Sequence, residues 1–278
     1  MKNQLNCGFY ARRASHKKIK KTGVYNDGEL VRCSMLPCQR EMFDDYDKKF
    51  VIDNSPPGSG KSTTVKFVHS DYLTRHRSQK LIISIPQTII SKTFQKVELK
   101  YPDGSIIYWD IDQDLCDDTP NKVNKIVSFL NTTKFAEGFN QRVLICTHSA
   151  LVQAYHKLKS KSSAFVNTTL TIDEAHRLLC ALLCAENGNA SVANQLGHIV
   201  NHLVSSKPKG FKAWLATATF FRGDKLSILK EEVRKKFSVR HLPMDRHWEE
   251  NVRYLESYTY DFVVYKHKPW NEIKTLLS

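Results

Sequence analysis

Five short runs of apolar and β-branched residues are the feature that most limits the fold of this 278-residue chain. Each run has the length of a strand, and segments long enough for a helix separate one run from the next. Strands without a polar face are typical of a parallel sheet covered by helices on both faces. The sequence therefore predicts an α/β domain with a mainly parallel sheet, whose strands cover residues 50–52, 81–85, 142–147, 168–172 and 213–217.

Outside these runs, the sequence predicts a few additional elements. Residues 97–101 and 106–109 flank the tight turn Pro102-Asp103-Gly104 and predict a β-hairpin inserted into the core domain. The turn dipeptides Thr22-Gly23 and Asp27-Gly28 indicate a short hairpin within a basic, loosely ordered segment, residues 1–30. The core domain is expected to cover residues 31–250, with residues 251–278 as a linker or the start of another lobe. Further predictions are a charged helix over 224–237, a strand over 258–265 and a helix over 270–278.

Residues 55–62 fit the phosphate-loop pattern, with Ser55 in the position of its first glycine. Gly58 and Gly60 would let backbone N–H groups turn around a β-phosphate, where a side chain would collide. Lys61 would reach the β- and γ-phosphates, and Ser62 would offer its hydroxyl to Mg²⁺. A helix over about 63–73 would point its positive end at the same phosphates. The predicted nucleotide contacts are Ser55, Pro57, Gly58, Ser59, Gly60, Lys61, Ser62 and Thr63.

An acidic pair, Asp173 and Glu174, follows the fourth apolar run. Ligands of parallel sheets bind at the carboxyl ends of the strands, which is where this pair would lie. Asp173 would hold Mg²⁺ through its water shell, and Glu174 would act as the general base that polarises the attacking water. Thr217 and Thr219 follow the fifth run and could hydrogen-bond the acidic pair or His176, although threonine is also common at ordinary strand ends.

The charge of the chain favours a polyanionic partner, nucleic acid above all. Lysine and arginine number 42 against 28 acidic residues, which gives a formal net charge of +14. The basic residues within 12–21 could be a solvated tail, a phosphate-binding arm or an import signal. No apolar run reaches the roughly 18 residues that cross a bilayer, so no membrane partner is expected.

Cysteine usage and the N-terminus bear on the compartment. The seven cysteines are irregularly spaced, and residues 1–4 lack the apolar core of a secretory signal. We expect an intracellular protein with reduced thiols, cytoplasmic or nucleoid, or nuclear in a eukaryotic or viral setting. A zinc site from Cys7, Cys33 and Cys38 is an alternative, but its spacing matches no standard finger.

Together these motifs resemble the superfamily 2 helicases and translocases. Residues 55–62 match motif I, the Asp-Glu-Ala-His of 173–176 matches motif II, and Thr217-Ala218-Thr219 matches motif III. The resemblance implies a RecA-like lobe that uses ATP with Mg²⁺ and couples its hydrolysis to nucleic acid. It also implies that Gln39 reads the adenine edge, and that His176, Thr217, Thr219 and Arg222 couple the site to movement. Two loops are implied to touch nucleic-acid phosphates, through Pro86, Gln87, Thr147 and His148.

The stretch 217–224 resembles the restriction-enzyme ATPase subunits, with Phe220 in place of the usual proline, and this favours DNA over RNA. In the family a second RecA-like lobe supplies arginine fingers, and no matching arginine motif follows residue 224. The second lobe is therefore expected in cis or in trans, and the chain would be an excised piece, a natural fragment or half of a split motor. We expect it to bind ATP and nucleic acid, to hydrolyse slowly and not to unwind duplexes. An ATP-switched binding module without motor activity is the alternative, and a small-molecule kinase is disfavoured because no lid is visible.

Overall fold

The structure is a computed structural model, and it describes residues 23–26, 29–32, 39, 41–42, 47–86, 91, 94, 96–100, 106–110, 113–133, 140–177, 192–218, 229–243 and 246. The strands are β1 (Gly23–Asn26), β2 (Glu29–Arg32), β3 (Phe50–Asn54), β4 (Lys80–Ile85), β5 (Lys96–Lys100), β6 (Ile106–Asp110), β7 (Gln113–Leu115), β8 (Val143–Thr147), β9 (Thr168–Ile172), β10 (Lys212–Thr217) and β11 (Ser238–His241). The helices are α1 (Lys61–Arg75), α2 (Lys122–Asn131), α3 (His148–Lys157), α4 (Lys161–Ala164), α5 (Val192–Ser206) and α6 (Glu231–Arg234), with single 3₁₀ turns at Asn140–Arg142 and Ala175–Arg177.

A seven-stranded sheet forms the centre of the described residues, in the order β11-β3-β10-β9-β4-β8-β7. Every pairing between neighbouring strands of this sheet is parallel. The five predicted strands are confirmed and occupy its five inner positions. This is the RecA-like α/β architecture that the motifs imply, and its parallel strands bring all their carboxyl ends to one edge.

Two hydrophobic clusters cover the opposite faces of this sheet, as the strand period of two requires. Val51 packs on one face with residues of α1, whereas its neighbour Ile52 packs on the other face with residues of α3 and α5. Each fully buried aliphatic side chain contributes about 1.5–3 kcal/mol relative to exposure. Together the clusters hold β3 and β9 rigidly, and these two strands lead into the phosphate loop and the acidic pair.

The hairpin predictions are confirmed as well. β5 pairs with β6 in antiparallel register, Val97 opposite Trp109, and β1 pairs with β2. The structure also adds β7 and β11 at the two edges of the sheet, which the sequence did not predict. The long helix expected over 224–237 is wrong in its described part, because Leu229 and Lys230 are not helical and α6 has only four residues.

Several predicted features lie outside the described residues. They are the start of the helix expected from residue 224, the elements expected over 258–265 and 270–278, and the cysteines Cys7, Cys33 and Cys38. Within the described ranges, no helix combines the length and apolarity that crossing a membrane requires.

Two buried cations fix helix ends at the amino edge of the sheet. The Arg142 guanidinium, just before β8, donates to the carbonyls of Leu73, His76, Arg77 and Gln79 at distances of 3.0–3.3 Å. These carbonyls belong to the last turn of α1 and the loop after it, which lack intrahelical partners. Arg142 therefore fixes the helix that begins at Lys61. Lys80 fixes the end of α2 in the same way, because its ammonium donates to the carbonyls of residues 129, 130 and 132.

We expect Arg142→Ala to lower the free energy of unfolding by about 3 kcal/mol, because several buried carbonyls lose a charged donor. Arg142→Lys should lower the free energy of unfolding by about half as much, since an ammonium cannot reach all four carbonyls. Urea unfolding measures both values. Arg75→Ala is the matched control: Arg75 is half exposed and pairs with Asp71 one turn away, so it should change stability by about 0.5 kcal/mol or less. Equal losses for Arg142→Ala and Arg75→Ala would contradict the capping role.

Candidate nucleotide site

Three strand ends bring the main sequence motifs together at the carboxyl edge of the sheet. β10 lies between β3 and β9, with Thr217 opposite Asn54 and Leu215 opposite Ile172. The phosphate loop leaves β3, and the acidic pair leaves β9. Ser55 N donates to Thr217 O at 3.1 Å, which joins the first residue of the loop to the end of β10. Residues from the three motifs are thus neighbours in space.

The phosphate loop has the backbone that its glycines were expected to provide. Gly58 and Gly60 have φ of 77° and 82°, in the left-handed region that residues with a Cβ rarely adopt. A Cβ at Gly58 would meet no atom within 4 Å, so open space borders the loop at this point. Pro57 and Gly58 are exposed, whereas Ser59 is buried and its Oγ has no hydrogen-bond partner among the described residues. The loop therefore offers both room and an unused donor for a ligand.

Lys61 opens α1 immediately after Gly60, and Thr64 N closes the first helical turn on Gly60 O at 2.9 Å. The Lys61 ammonium donates to Ser55 O at 2.7 Å and to Pro56 O at 3.0 Å. It is thus held on backbone carbonyls of the loop itself. These neutral acceptors are weaker partners than phosphate oxygens, so the ammonium can transfer to a bound phosphate at modest cost. Ser62 and Thr63 lie half-buried in the same first turn.

The acidic pair adopts two different environments. Asp173 is buried, and its backbone N donates to Ser84 O on β4 at 2.9 Å. Glu174 follows with φ of 50°, a left-handed conformation that is uncommon outside glycine and is concentrated at functional sites. Its carboxylate is 36% exposed and lies 3.0 Å from His176 Nδ1, without the angle of a hydrogen bond. One acid is therefore directed into the protein, and the other is accessible to water.

The charge of Lys61 acts on Asp173 and on a third group. Burial, and then the charge of Glu174, raise the pKa of Asp173 to about 6, while Lys61 lowers it. The third group is Asp53, near the end of β3. Burial raises the pKa of Asp53 to about 6 as well; its hydrogen bond from Ser55 and the charge of Lys61 oppose this rise, and the charge of Asp173 adds to it. The charges of one cation and two carboxylates thus act on one another at the start of the phosphate loop.

Asp53 is the site residue that the sequence analysis missed. A signal was present: an acid within Phe-Val-Ile-Asp-Asn, a strand in which all five residues are buried. Buried charges are costly unless paired, and they are therefore concentrated at functional sites.

Asp53 should also give the nucleotide-free protein an unusual pH dependence. Between about pH 4 and 6 the folded protein keeps the Asp53 proton that the unfolded chain has lost, so this group contributes stability at low pH that is lost as pH rises. Asp53→Asn lacks that contribution. We expect the unfolding free energy of wild type, minus that of the variant, to fall between pH 4.5 and 7. Urea unfolding at three pH values measures it, and a constant difference would count against a raised pKa.

Gln39 lies against the phosphate loop. It is buried, and its Nε2 donates to Gly60 O at 3.3 Å. Two residues further on, Glu41 forms a two-point ion pair with Arg246, which follows β11. The structure therefore holds Gln39 beside the loop that would bind the phosphates. Its contact with adenine stays a prediction.

The residues expected to touch nucleic acid have structural roles of their own. Thr147 caps α3, its Oγ1 accepting from Ala150 N at 3.2 Å. His148 is buried, with Nε2 3.3 Å from Ser84 O. Pro86 is partly exposed at the end of β4. Gln87, Thr219 and Arg222 lie outside the described residues, and the nucleic-acid role of these loops stays a prediction.

Comparison with known proteins gives a curated relative with a helicase name. No protein-family model matches the chain. A curated relative, "Putative ATP-dependent helicase YeeB" of Bacillus subtilis (strain 168), is 30% identical over 220 residues, which are 79% of this chain and 32% of that protein. The chain thus spans about a third of the length of this relative.

Solved helicase structures resemble the chain more distantly. The UvsW helicase from bacteriophage T4 has a TM-score of 0.42 and 12% identity, over 79% of this chain and 64% of that one. The DUF1998 helicase MrfA bound to DNA has a TM-score of 0.47 and 11% identity, over 80% of this chain and 31% of that one. A nuclease-deletion mutant of the Type ISP restriction-modification enzyme LlaGI, in complex with a DNA substrate mimic, has a TM-score of 0.47 and 13% identity. The match covers 78% of this chain and 20% of that one.

The sequence relationship and the geometry above agree on the position of the motifs. The phosphate loop, the Asp-Glu-Ala-His segment and Thr217 occur in order along the chain and meet at one edge of the parallel sheet. The chain therefore has the RecA-like α/β architecture and is similar, over 79% of its length, to a putative ATP-dependent helicase.

Proposed function

We propose that this chain is the first nucleotide-binding lobe of an ATP-driven motor that moves on nucleic acid, on DNA in preference to RNA. The observation behind the proposal is the shared position of Lys61, Asp173 and the phosphate loop at one edge of the sheet. The helicase name of the curated relative supports the same function. Because that relative is about two and a half times as long as this chain, a second lobe in cis or in trans belongs to the proposal.

The residues at this edge suit ATP with Mg²⁺. Among the described residues no three His, Cys, Asp or Glu side chains form a metal site by themselves. Mg²⁺ at nucleotide sites needs no such cage, since phosphates, waters and one or two carboxylates complete its shell. Ser62 and Asp173 are the side chains that would hold it, and when bound it would offset the negative charge of the triphosphate. Lys61 would leave the carbonyls of Ser55 and Pro56 for the phosphates.

Glu174 is the group best placed to act on water. Its carboxylate is partly exposed, whereas that of Asp173 is buried. The left-handed backbone at Glu174 separates the directions of these two adjacent side chains. We assign to Glu174 the orientation of the attacking water and the acceptance of its proton. His176, 3.0 Å away, would hold this carboxylate in place.

Nucleic acid is the proposed polymer along which the motor moves, because the net charge of +14 favours binding to a polyanion. The preference for DNA rests on the resemblance of residues 217–224 to the restriction-enzyme ATPase subunits. Thr147 and Pro86, at the ends of β8 and β4, lie at the same sheet edge as the nucleotide site. Loops there could sense ATP hydrolysis and nucleic acid together.

ATP hydrolysis by the purified chain tests the proposal. Phosphate release is measured alone, with single-stranded DNA and with single-stranded RNA, at about 50 and 200 mM salt. We expect slow turnover, since a missing arginine finger costs roughly 10³–10⁵ in rate in related systems. DNA should stimulate more than RNA, and the stimulation should weaken with salt. Tight nucleotide-dependent DNA binding with no hydrolysis would favour the ATP-switched module, and absence of ATP binding would refute both.

A further inference from the structure

Asp53 pays an energetic cost that its fold alone does not explain. The side chain is 0% exposed, in a strand whose Phe50, Val51 and Ile52 pack in the two apolar clusters. Its Oδ1 accepts the Ser55 hydroxyl, but Oδ2 has no hydrogen-bond partner among the described residues. Leaving a buried acceptor unsatisfied costs about 1–3 kcal/mol, and more for a charged group. A neutral residue would avoid this cost, so the carboxylate is retained for another reason.

The position of Asp53 indicates what that reason is. Strand alternation puts it on the same face as Val51, which packs with residues of α1. This is the helix that Lys61 opens. Asp53 is in electrostatic contact with Lys61 and with Asp173. Asp53 also accepts a hydrogen bond from Ser55, the first residue of the phosphate loop. Its unpaired oxygen is therefore part of the charge environment that a bound triphosphate would meet.

A fixed negative charge beneath a phosphate loop distinguishes between two forms of the same nucleotide. Metal-free ATP carries roughly twice the negative charge of ATP with Mg²⁺, so its repulsion from a buried carboxylate is about twice as large. Such repulsion is strong where water is excluded. The Lys61 ammonium alone would attract both forms. A second carboxylate beside Asp173 shifts that balance towards the metal-bound form.

We propose that Asp53 is a positioning residue whose buried charge makes nucleotide binding depend on Mg²⁺, by disfavouring the metal-free triphosphate. The inference rests on the proposed function, because it needs ATP at the phosphate loop. Asp53 itself touches neither phosphate nor metal in this scheme. It acts through the electrostatic field and through its bond to Ser55.

The test is a pair of ATP dissociation constants for the full chain, measured with a fluorescent ATP analogue at pH 8 with excess Mg²⁺ and with EDTA. The readout is their ratio, EDTA over Mg²⁺. In Asp53→Asn the hydrogen bond from Ser55 can persist while the charge is removed. We expect the ratio to fall about fivefold or more, because the coupling between metal and nucleotide is weakened. Most of the change should be tighter binding in EDTA.

One further variant controls for the loss of a carboxylate elsewhere on the sheet. Asp114→Asn is the matched control, since Asp114 lies on β7, at the far edge of the same sheet, and accepts from Cys116 N. It should keep the wild-type ratio. An unchanged ratio in Asp53→Asn, or an equal fall in Asp114→Asn, would overturn the inference. If wild type binds the analogue in neither condition, the proposed function fails instead.

Discussion

Glu174→Gln should slow ATP hydrolysis by about 10²–10⁴-fold while ATP remains bound, because a positioned general base contributes about that much. The amide keeps the shape of the side chain but cannot accept the proton of the attacking water. The backbone φ of 50° at this residue should tolerate glutamine as it tolerates glutamate. The measurement uses excess protein with limiting ATP, and follows the fractions of ATP and ADP over time, so that slow turnover in a single lobe is still resolved.

Glu231→Gln is the control for this substitution. Glu231 opens α6, is 70% exposed and pairs with Lys235 one turn away, so the change should leave hydrolysis as in wild type. Equal hydrolysis by Glu174→Gln and wild type would show that another group activates the water. Loss of ATP binding in Glu174→Gln would show that this residue belongs to the binding site and not to the chemical step.

The sequence predicted the centre of this fold well because burial on both faces leaves a strong pattern. The five inner strands are continuous runs such as Lys80–Ile85, in which all six residues are buried. β11 was missed because an edge strand has fewer neighbours and can remain partly exposed, as Val239 is at 40%. β7 was missed because three residues, Gln-Asp-Leu, are too few to show any period.

The residues of the candidate site also differ in how well a local sequence pattern predicts them. Residues such as Lys61 and Asp173 could be predicted because their chemistry demands one residue type at one position after a strand. The role of Arg142 was not predicted, and that of Gln39 only in part, because their partners are backbone carbonyls far along the chain, on residues 73–79 and on Gly60. No local pattern records such contacts. Asp53 left a local signal, but its meaning depends on Lys61 and Asp173 being brought beside it by the fold.

Lys61→Ala should weaken ATP binding by about 10–100-fold, because a charge-assisted contact to phosphate contributes about 1.5–3 kcal/mol. Hydrolysis of the ATP that still binds should fall by about 10²–10³-fold, since the ammonium also stabilises charge that develops in the transition state. Lys61→Arg should not restore function. The single ammonium fits between Ser55 O and Pro56 O at 2.7 and 3.0 Å, and a planar guanidinium cannot reproduce that geometry.

Lys61→Ala should affect the stability of the fold much less than it affects ATP binding. Without the Lys61 cation, the pKa values of Asp53 and Asp173 should rise further, since its charge lowers both. Both acids can then be neutral at a higher pH, so we expect the fold to persist, with thermal unfolding near that of wild type at about pH 6. Lys125→Ala, an exposed change on α2, should leave ATP binding intact. If Lys61→Ala bound ATP as tightly as Lys125→Ala, the phosphate loop would not be the nucleotide site.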